Sequence, residues 1–168
     1  MSLAIATAGG PCAPSFPAAN PSPSLCVCTE SDPGRETVER FIQRVFARRF
    51  GARVQRFAPE LVCLRDPDRG DIVAAAGYRF ADQGALFLER YLDEPIAPLI
   101  SATENNPVDR SAIVEVGNLA AADTGSARLS IIAVTYLLAM GGLEWVAFTG
   151  SIGLVNSFHR LGLKPVRL

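Results

Sequence analysis

The chain has 168 residues, 49% apolar and 20% charged, with a formal net charge of −1. That length suits one domain with a substantial core and is short for two. The near-neutral balance gives no overall cationic signal for nucleic acid or an anionic membrane, so nucleic acid is not an expected partner. The longest apolar run, Leu129 to Leu143, falls short of the ~20 residues that a membrane-spanning helix needs, and no transmembrane segment is expected.

Residues 1–29 contain no charged residue, and six of the twelve prolines lie within 1–33. With little to pack, residues 1–31 are predicted to be a disordered Pro/Ala/Ser-rich tail ahead of a single domain at 32–168. No Lys or Arg precedes Arg35, so the start does not match a secretory signal with a positive n-region. Cys12, Cys26, Cys28 and Cys63 form no CxxC pair, and His159 is the sole histidine. That is a poor metal set, so no metal is expected and the thiols read as free in a cytoplasmic protein.

Asp32 is predicted to cap a first helix beginning at Pro33, with Val38, Phe41, Ile42, Val45 and Phe46 at helical spacing and Gly51 ending the run. Arg40, Arg44 and Arg48 fall on a different, solvated face. Val54 to Leu64 reads as a strand region broken at Pro59, and Asp71 to Phe80 as its hairpin partner across the Asp66–Gly70 turn. Leu86 to Tyr91 reads as a short strand, Ile96 to Leu99 as the start of a short helix, and Ala102 to Arg110 as a loop.

Then come a strand at Ile113–Leu119, a small-residue turn at Ala120–Ser126 and a helix at Arg128–Met140 stopped by Gly141-Gly142. The expected apolar stripe of that helix is Leu129, Ile132, Ala133, Tyr136, Leu137 and Met140. A strand at Trp145–Thr149 and a helix at Ile152–Leu161 close the chain. Two strands joined by a crossover helix imply a parallel pair. The predicted class is α/β (α+β): a mixed, mostly antiparallel sheet flanked by helices, with an open edge that invites a homodimer.

Small residues before a helix let an anion approach unpaired main-chain N–H groups. The turn is neither a Walker A loop nor a GxGxxG fingerprint. The candidate anion-binding residues are Leu119, Ala120, Ala122, Gly125, Ser126, Ala127 and Arg128, although Asp123 would repel an anion unless it turns away or caps the helix. Glu115, set among apolar neighbours in IVEVG, is the candidate base, because burial raises a carboxylate's pKa. Asn118 is a candidate for polarising a carbonyl. Arg79, Glu89 and Arg110 are candidates for a charged network around that base, each with a structural salt bridge as its alternative. Asp93 is placed either on an amine or in the turn before Pro95. No serine lies in a GxSxG elbow, Cys63 reads as core, and His159 beside Arg160 reads as exposed.

The order strand, small-residue turn, helix, strand, helix resembles the GCN5-related N-acetyltransferase superfamily. That resemblance implies coenzyme A bound through the pyrophosphate-binding turn, with Ala122, Gly125 and Ala127 at the motif positions and Asn156 as a cofactor contact. Gly125 and Ala127 fit the motif; Ala122 lacks its long polar side chain. Phe158 stands where many members carry a Tyr acid, and a phenyl ring donates no proton.

AAAGYRF, LFLERYLDEPI, IVEVGNLA and NSFHRLGL resemble the thermostable hemolysin family of bacterial proteins, itself similar to acyl-homoserine-lactone synthases. The resemblance implies an acyl-CoA N-acyltransferase-like fold. It implies acyl transfer from a thioester, acyl-CoA or acyl-ACP (acyl carrier protein) as co-substrate, to a small-molecule amine acceptor. The similar families continue with further strands, so a C-terminally short fold is expected. A membrane-active hemolysin without catalysis, and a degenerate acyl-carrier-binding module, stay open beside this reading.

Overall fold

The structure is a computed structural model that describes residues 2–7, 23–150 and 152–167. It is an α+β fold with a mixed, mostly antiparallel sheet flanked by helices. The chain divides into two compact units, one of Met1–Gly10, Arg79–Val116 and Leu137–Leu168, the other of Pro11–Tyr78 and Gly117–Tyr136.

In the second unit, β2 (Ser24–Cys28), β3 (Glu60–Arg65) and β4 (Ile72–Phe80) run antiparallel in that order. The end of β5 (Ile113–Ala121) lies next to β4. Side-chain alternation along strands sorts the two faces. Leu61, Cys63, Ala75 and Ala120 meet Val38, Phe41 and Ile42 of α1 (Arg35–Phe50) on one face. Leu64, Ala74 and Ala121 meet Ala127, Leu129 and Ala133 of α3 (Thr124–Met140) on the other. Gly51, at φ 60°, ends α1 with its N–H on Ala47 O, the left-handed stop that glycine allows without strain.

In the first unit, β5 and β6 (Trp145–Gly150) pair in parallel from Ile113↔Trp145 to Val116↔Phe148, as the crossover helix implied. β1 (Ser2–Thr7) is antiparallel to β6, and β7 (Val166–Arg167) to β1. The core here joins Leu86, Leu88, Ile96, Ala97, Ile100, Ile113, Trp145 and Ala147. Leu88, Ile96, Ile100 and Ile113 are fully buried, each worth roughly 1.5–3 kcal/mol. α2 (Ile96–Glu104) supplies three of these core residues, and α4 (Ile152–Arg160) packs Phe158 on Phe148, ring centroids 4.6 Å apart.

Several expectations are corrected. The predicted tail contains β1 and β2, and β2 is paired along its length with β3; a short uncharged stretch finds its partners only in the folded sheet. The rest of that tail, residues 8–22, lies outside the described residues. α1 begins at Arg35, because the Asp32 carboxylate bonds Thr29 N (2.8 Å) and Thr29 Oγ1 (2.9 Å) and closes a turn there instead. β3 begins at Glu60, after Pro59. α2 runs on to Glu104, into the expected loop.

Leu88–Tyr91 is a 3-10 turn and not a strand, since carboxylates take the amides that a strand would offer to a neighbour. Glu89 Oε2 accepts Leu86 N, and Glu115 accepts Phe87 N and Leu88 N. α3 begins at Thr124, and its buried positions are Ser130, Ile131, Val134 and Leu138. Tyr136 and Met140 are exposed, so the buried stripe is rotated from the expected one.

Candidate functional site

Four of the five candidate catalytic residues come together in the first unit. Glu115, half-buried on β5, accepts Phe87 N at 2.6 Å and Leu88 N at 2.9 Å, one bond to each oxygen. Burial pushes its carboxyl above the usual range. The two N–H donors and the charge of Arg79 pull the other way without overcoming it. A raised folded pKa makes the charged form a cost to folding. Stability from this group is therefore greatest below its ordinary pKa and declines as pH rises through the folded one.

Glu89 is held differently. Burial disfavours its charge, but hydrogen bonds from Arg110 and from the Ile96 and Leu86 N–H groups outweigh that and bring it down to about 2. Arg110 Nη1 lies 2.6 Å from Glu89 Oε1, while its Nε donates to Ala81 O and its Nη2 to Gly84 O. A carboxylate so acidic and so fully bonded cannot serve as a base at neutral pH; Glu89 and Arg110 shape the segment from Ala81 to Ile96. Arg79 donates to Ala85 O at 3.3 Å and also stabilises the charge on Glu115.

A cavity of about 480 Å³ opens in this unit, lined by Gly84, Glu89, Asp93, Glu94, Pro95 and Arg110 among others. Asp93 and Glu94 face it with no ion-pair partner among the described residues. The sequence reading found Asp93 but missed Glu94; the adjacent acids in LDEPI are the signal that pointed there.

Asn118 takes no part in that cluster. Its φ of 52° sets a kink within β5, and its amide clamps a loop of the second unit: Oδ1 accepts Ala58 N at 3.0 Å and Nδ2 donates to Arg56 O. This is the strand-bulge role, and a carbonyl-polarising one would require breaking it.

The turn before α3 also departs from expectation. Asp123 caps the helix, its Oδ1 accepting Ser126 N at 2.8 Å and its Oδ2 the Ser126 hydroxyl at 2.8 Å. The Ser126 N–H, then the hydroxyl, hold its carboxyl below the usual range, with a smaller contribution from the Gly125 N–H. Ala122 N is spent on Val73 O and Ala127 N on Asp123 O. Three of the main-chain nitrogens expected to receive an anion, those of Ala122, Ser126 and Ala127, are therefore bonded to protein oxygens, and the Asp123 carboxylate stands at the turn. Ala120 is buried in the α1 core and Leu119 half-buried. Gly125 and Arg128 are exposed, as is Asn156 on α4.

Replacing Asp123 with alanine is expected to lower the thermal midpoint by about 2–4 °C, the usual loss for an N-cap in a chain of this size. The same change frees the Ser126 N–H and removes a negative charge. Inorganic phosphate, titrated at fixed ionic strength, is then expected to bind more tightly than to the parent chain.

Cys63 is buried and its thiol is pushed up to about 11 by burial, which suits core and not a nucleophile. Cys26, Cys28 and Cys63 are free. Among the described residues no three His, Cys, Asp or Glu side chains come together to hold a metal, and no helix is long and apolar enough to cross a membrane.

No curated protein matches the chain. Its fold is shared by solved structures, among them these two. TofI, solved in a ternary complex with an inhibitor and MTA, is 19% identical, with 82% of this chain and 78% of that chain covered and a TM-score of 0.56. A GCN5-related N-acetyltransferase from Kribbella flavida is 16% identical, with 99% of this chain covered and a TM-score of 0.51; the match takes in 54% of that chain, so this chain spans about half its length. Both likenesses are of fold, and the fold is acyltransferase-like. The thermostable hemolysin family model matches residues 28–168, and the chain belongs to that family.

Proposed function

We propose that the protein moves an acyl group from a pantetheine thioester to a small cationic amine. The observation that carries this reading is the acidic cavity of the first unit, about 480 Å³, found in a chain of acyltransferase-like fold. Asp93 and Glu94 offer two carboxylates to an ammonium group, with no ion-pair partner among the described residues. Glu115, which does not line the cavity but lies near enough to its Glu89 to feel that charge, is with its raised pKa the proposed base: it takes a proton from the ammonium, and the freed nitrogen attacks the thioester carbonyl. The C–N bond forms, the C–S bond breaks, the nitrogen gives up its second proton to solvent to become the amide, and the departing sulfur takes a proton from solvent, since Phe158 has none to give. Arg79, beside the base, steadies its charged form.

Among donors, the Asp123 cap favours acyl carrier protein over coenzyme A. A carrier-bound pantetheine brings one phosphodiester. Coenzyme A brings a pyrophosphate and a further phosphate toward the turn at Ala122 to Arg128, where a carboxylate already stands. A cytoplasmic setting, where such thioesters are made, is part of the same proposal.

The test is a mass-spectrometric assay of acyl transfer, with carrier and coenzyme A thioesters against a panel of small amines. Amide product from a carrier thioester is the expected result. Glu115→Gln is expected to lower kcat by at least about 100-fold, the usual scale for a general base. Gln also points an NH₂ group at a backbone N–H, so a stability loss of about 1–3 kcal/mol accompanies it, and kcat is compared below the variant's unfolding midpoint. No product from any donor, together with dye release from liposomes without a thioester, would overturn the reading.

A further inference from the structure

The second unit carries a cationic surface that the site chemistry does not use. Residues 40–56 hold six arginines and no acid, while the chain as a whole has 17 acids against 16 basic residues. Arg40, Arg44, Arg48, Arg49, Arg53 and Arg56 are all exposed. The first three recur every four residues and so share one stripe of α1. Arg40 pairs with Glu36 and Arg49 donates to Ala122 O, whereas Arg44, Arg48, Arg53 and Arg56 have no ion-pair partner among the described residues. Phe50, 66% exposed, stands at the end of the same helix. A cavity of about 450 Å³ lies beside it, lined by Gln43, Ala47, Gly51, Ala52, Arg53 and Val54.

We propose that this arginine surface, with Phe50 exposed at the end of α1, is the docking face for a small acidic protein, and that the partner is the acyl carrier that delivers the thioester. The inference rests on the transfer reading above for the partner's identity, but the surface is argued separately. Three observations select a protein over other polyanions. The apolar side of α1 is spent in the core on Val38, Phe41 and Ile42, so the helix has no free apolar face to lay into a membrane. All of the chain's acids lie outside residues 40–56, so a long polyanion such as nucleic acid would meet repulsion beyond the patch, whereas a compact acidic surface meets the patch alone. An exposed aromatic beside a notch of methyl and backbone groups is a protein-type anchor. Arg49 reaches Ala122 O and lowers the pKa of Asp123, so the patch borders the turn before α3 within the same unit.

The experiment measures binding of purified holo acyl carrier protein to the full chain and to the double variant Arg44→Glu, Arg48→Glu. Both arginines are exposed, and an unchanged circular dichroism melt confirms that the variant folds; Arg44→Gln, Arg48→Gln serves if it does not. Saturable carrier binding that weakens as salt is raised, and weakens about tenfold or more in the variant, is expected. Transfer from an acyl-pantetheine lacking the carrier is expected to stay at the parent level. Carrier binding indifferent to the reversal, or none by the parent chain, would overturn the docking face and leave the transfer reading standing. Charge-dependent binding without transfer from any donor would keep the face and remove the transfer reading. Tighter binding to vesicles of equal phosphatidylcholine and phosphatidylserine, or to a short duplex DNA, would overturn the choice of partner.

Discussion

Arg110→Ala is expected to destabilise the protein by about 2–3 kcal/mol, read as a lower midpoint in urea unfolding. The guanidinium makes four hydrogen bonds, to Ala81 O, Gly84 O and both oxygens of Glu89. Its loss leaves a largely buried carboxylate with no cation and two carbonyls short of a donor. Because Glu89 is depressed to about 2 in the folded chain, its contribution is fully present above its ordinary pKa of 4.5 and is lost as pH falls from there toward 2. The variant is expected to lose most of that acid dependence, since the carboxyl then titrates nearer its unfolded value. An unaltered acid-unfolding curve in Arg110→Ala would show that the pair does not set it. Arg110→Lys restores a charge but not the fork, so it should recover less than half of the loss.

The second large effect belongs to Gly77 on β4. A Cβ there would stand 2.8 Å from Ala58 Cβ, 2.9 Å from Asn118 Oδ1 and 3.1 Å from Leu61 Cδ2. The first two are closer than real contacts allow and the third is tighter than most, and the Asn118 amide has nowhere to go without giving up Ala58 N. Gly77→Ala is therefore expected to cost about 2–3 kcal/mol through overpacking and the broken clamp. Asn118→Gly keeps the left-handed backbone while removing the amide, and is expected to cost about 1–2 kcal/mol. The two should not add: once the amide is gone, the added methyl meets one neighbour fewer, so the double variant should fall short of the sum. Strict additivity in a double-mutant cycle would separate Gly77 from the clamp.

This clamp bears on the function only through position. Asn118 and Glu115 lie on the same strand. The half-buried middle of β5, between buried ends, is where the strand's polar residues sit.

Local sequence determined the elements whose cause is local. Short continuous apolar runs marked β3, β4 and β6, each buried on successive residues. Gly51 and Gly142, both at positive φ, ended helices where glycine was the only cheap residue. The family-bearing strings LFLERYLDEPI and IVEVGNLA were legible as strings, and they assemble one charged network, with Glu115 bonded to Phe87 and Leu88.

Tertiary structure alone decided where Glu89 and Glu115 go. They look alike in sequence, yet one pairs with an arginine and one is raised by burial, whereas the Asp123 cap is local, made to Ser126 in the same turn. Their partners lie up to 28 residues away, and the balance between burial and donors is a property of the assembled surroundings. The same holds for β2. An uncharged stretch carries no local instruction to be a strand, and its edges are satisfied only once β3 is beside it.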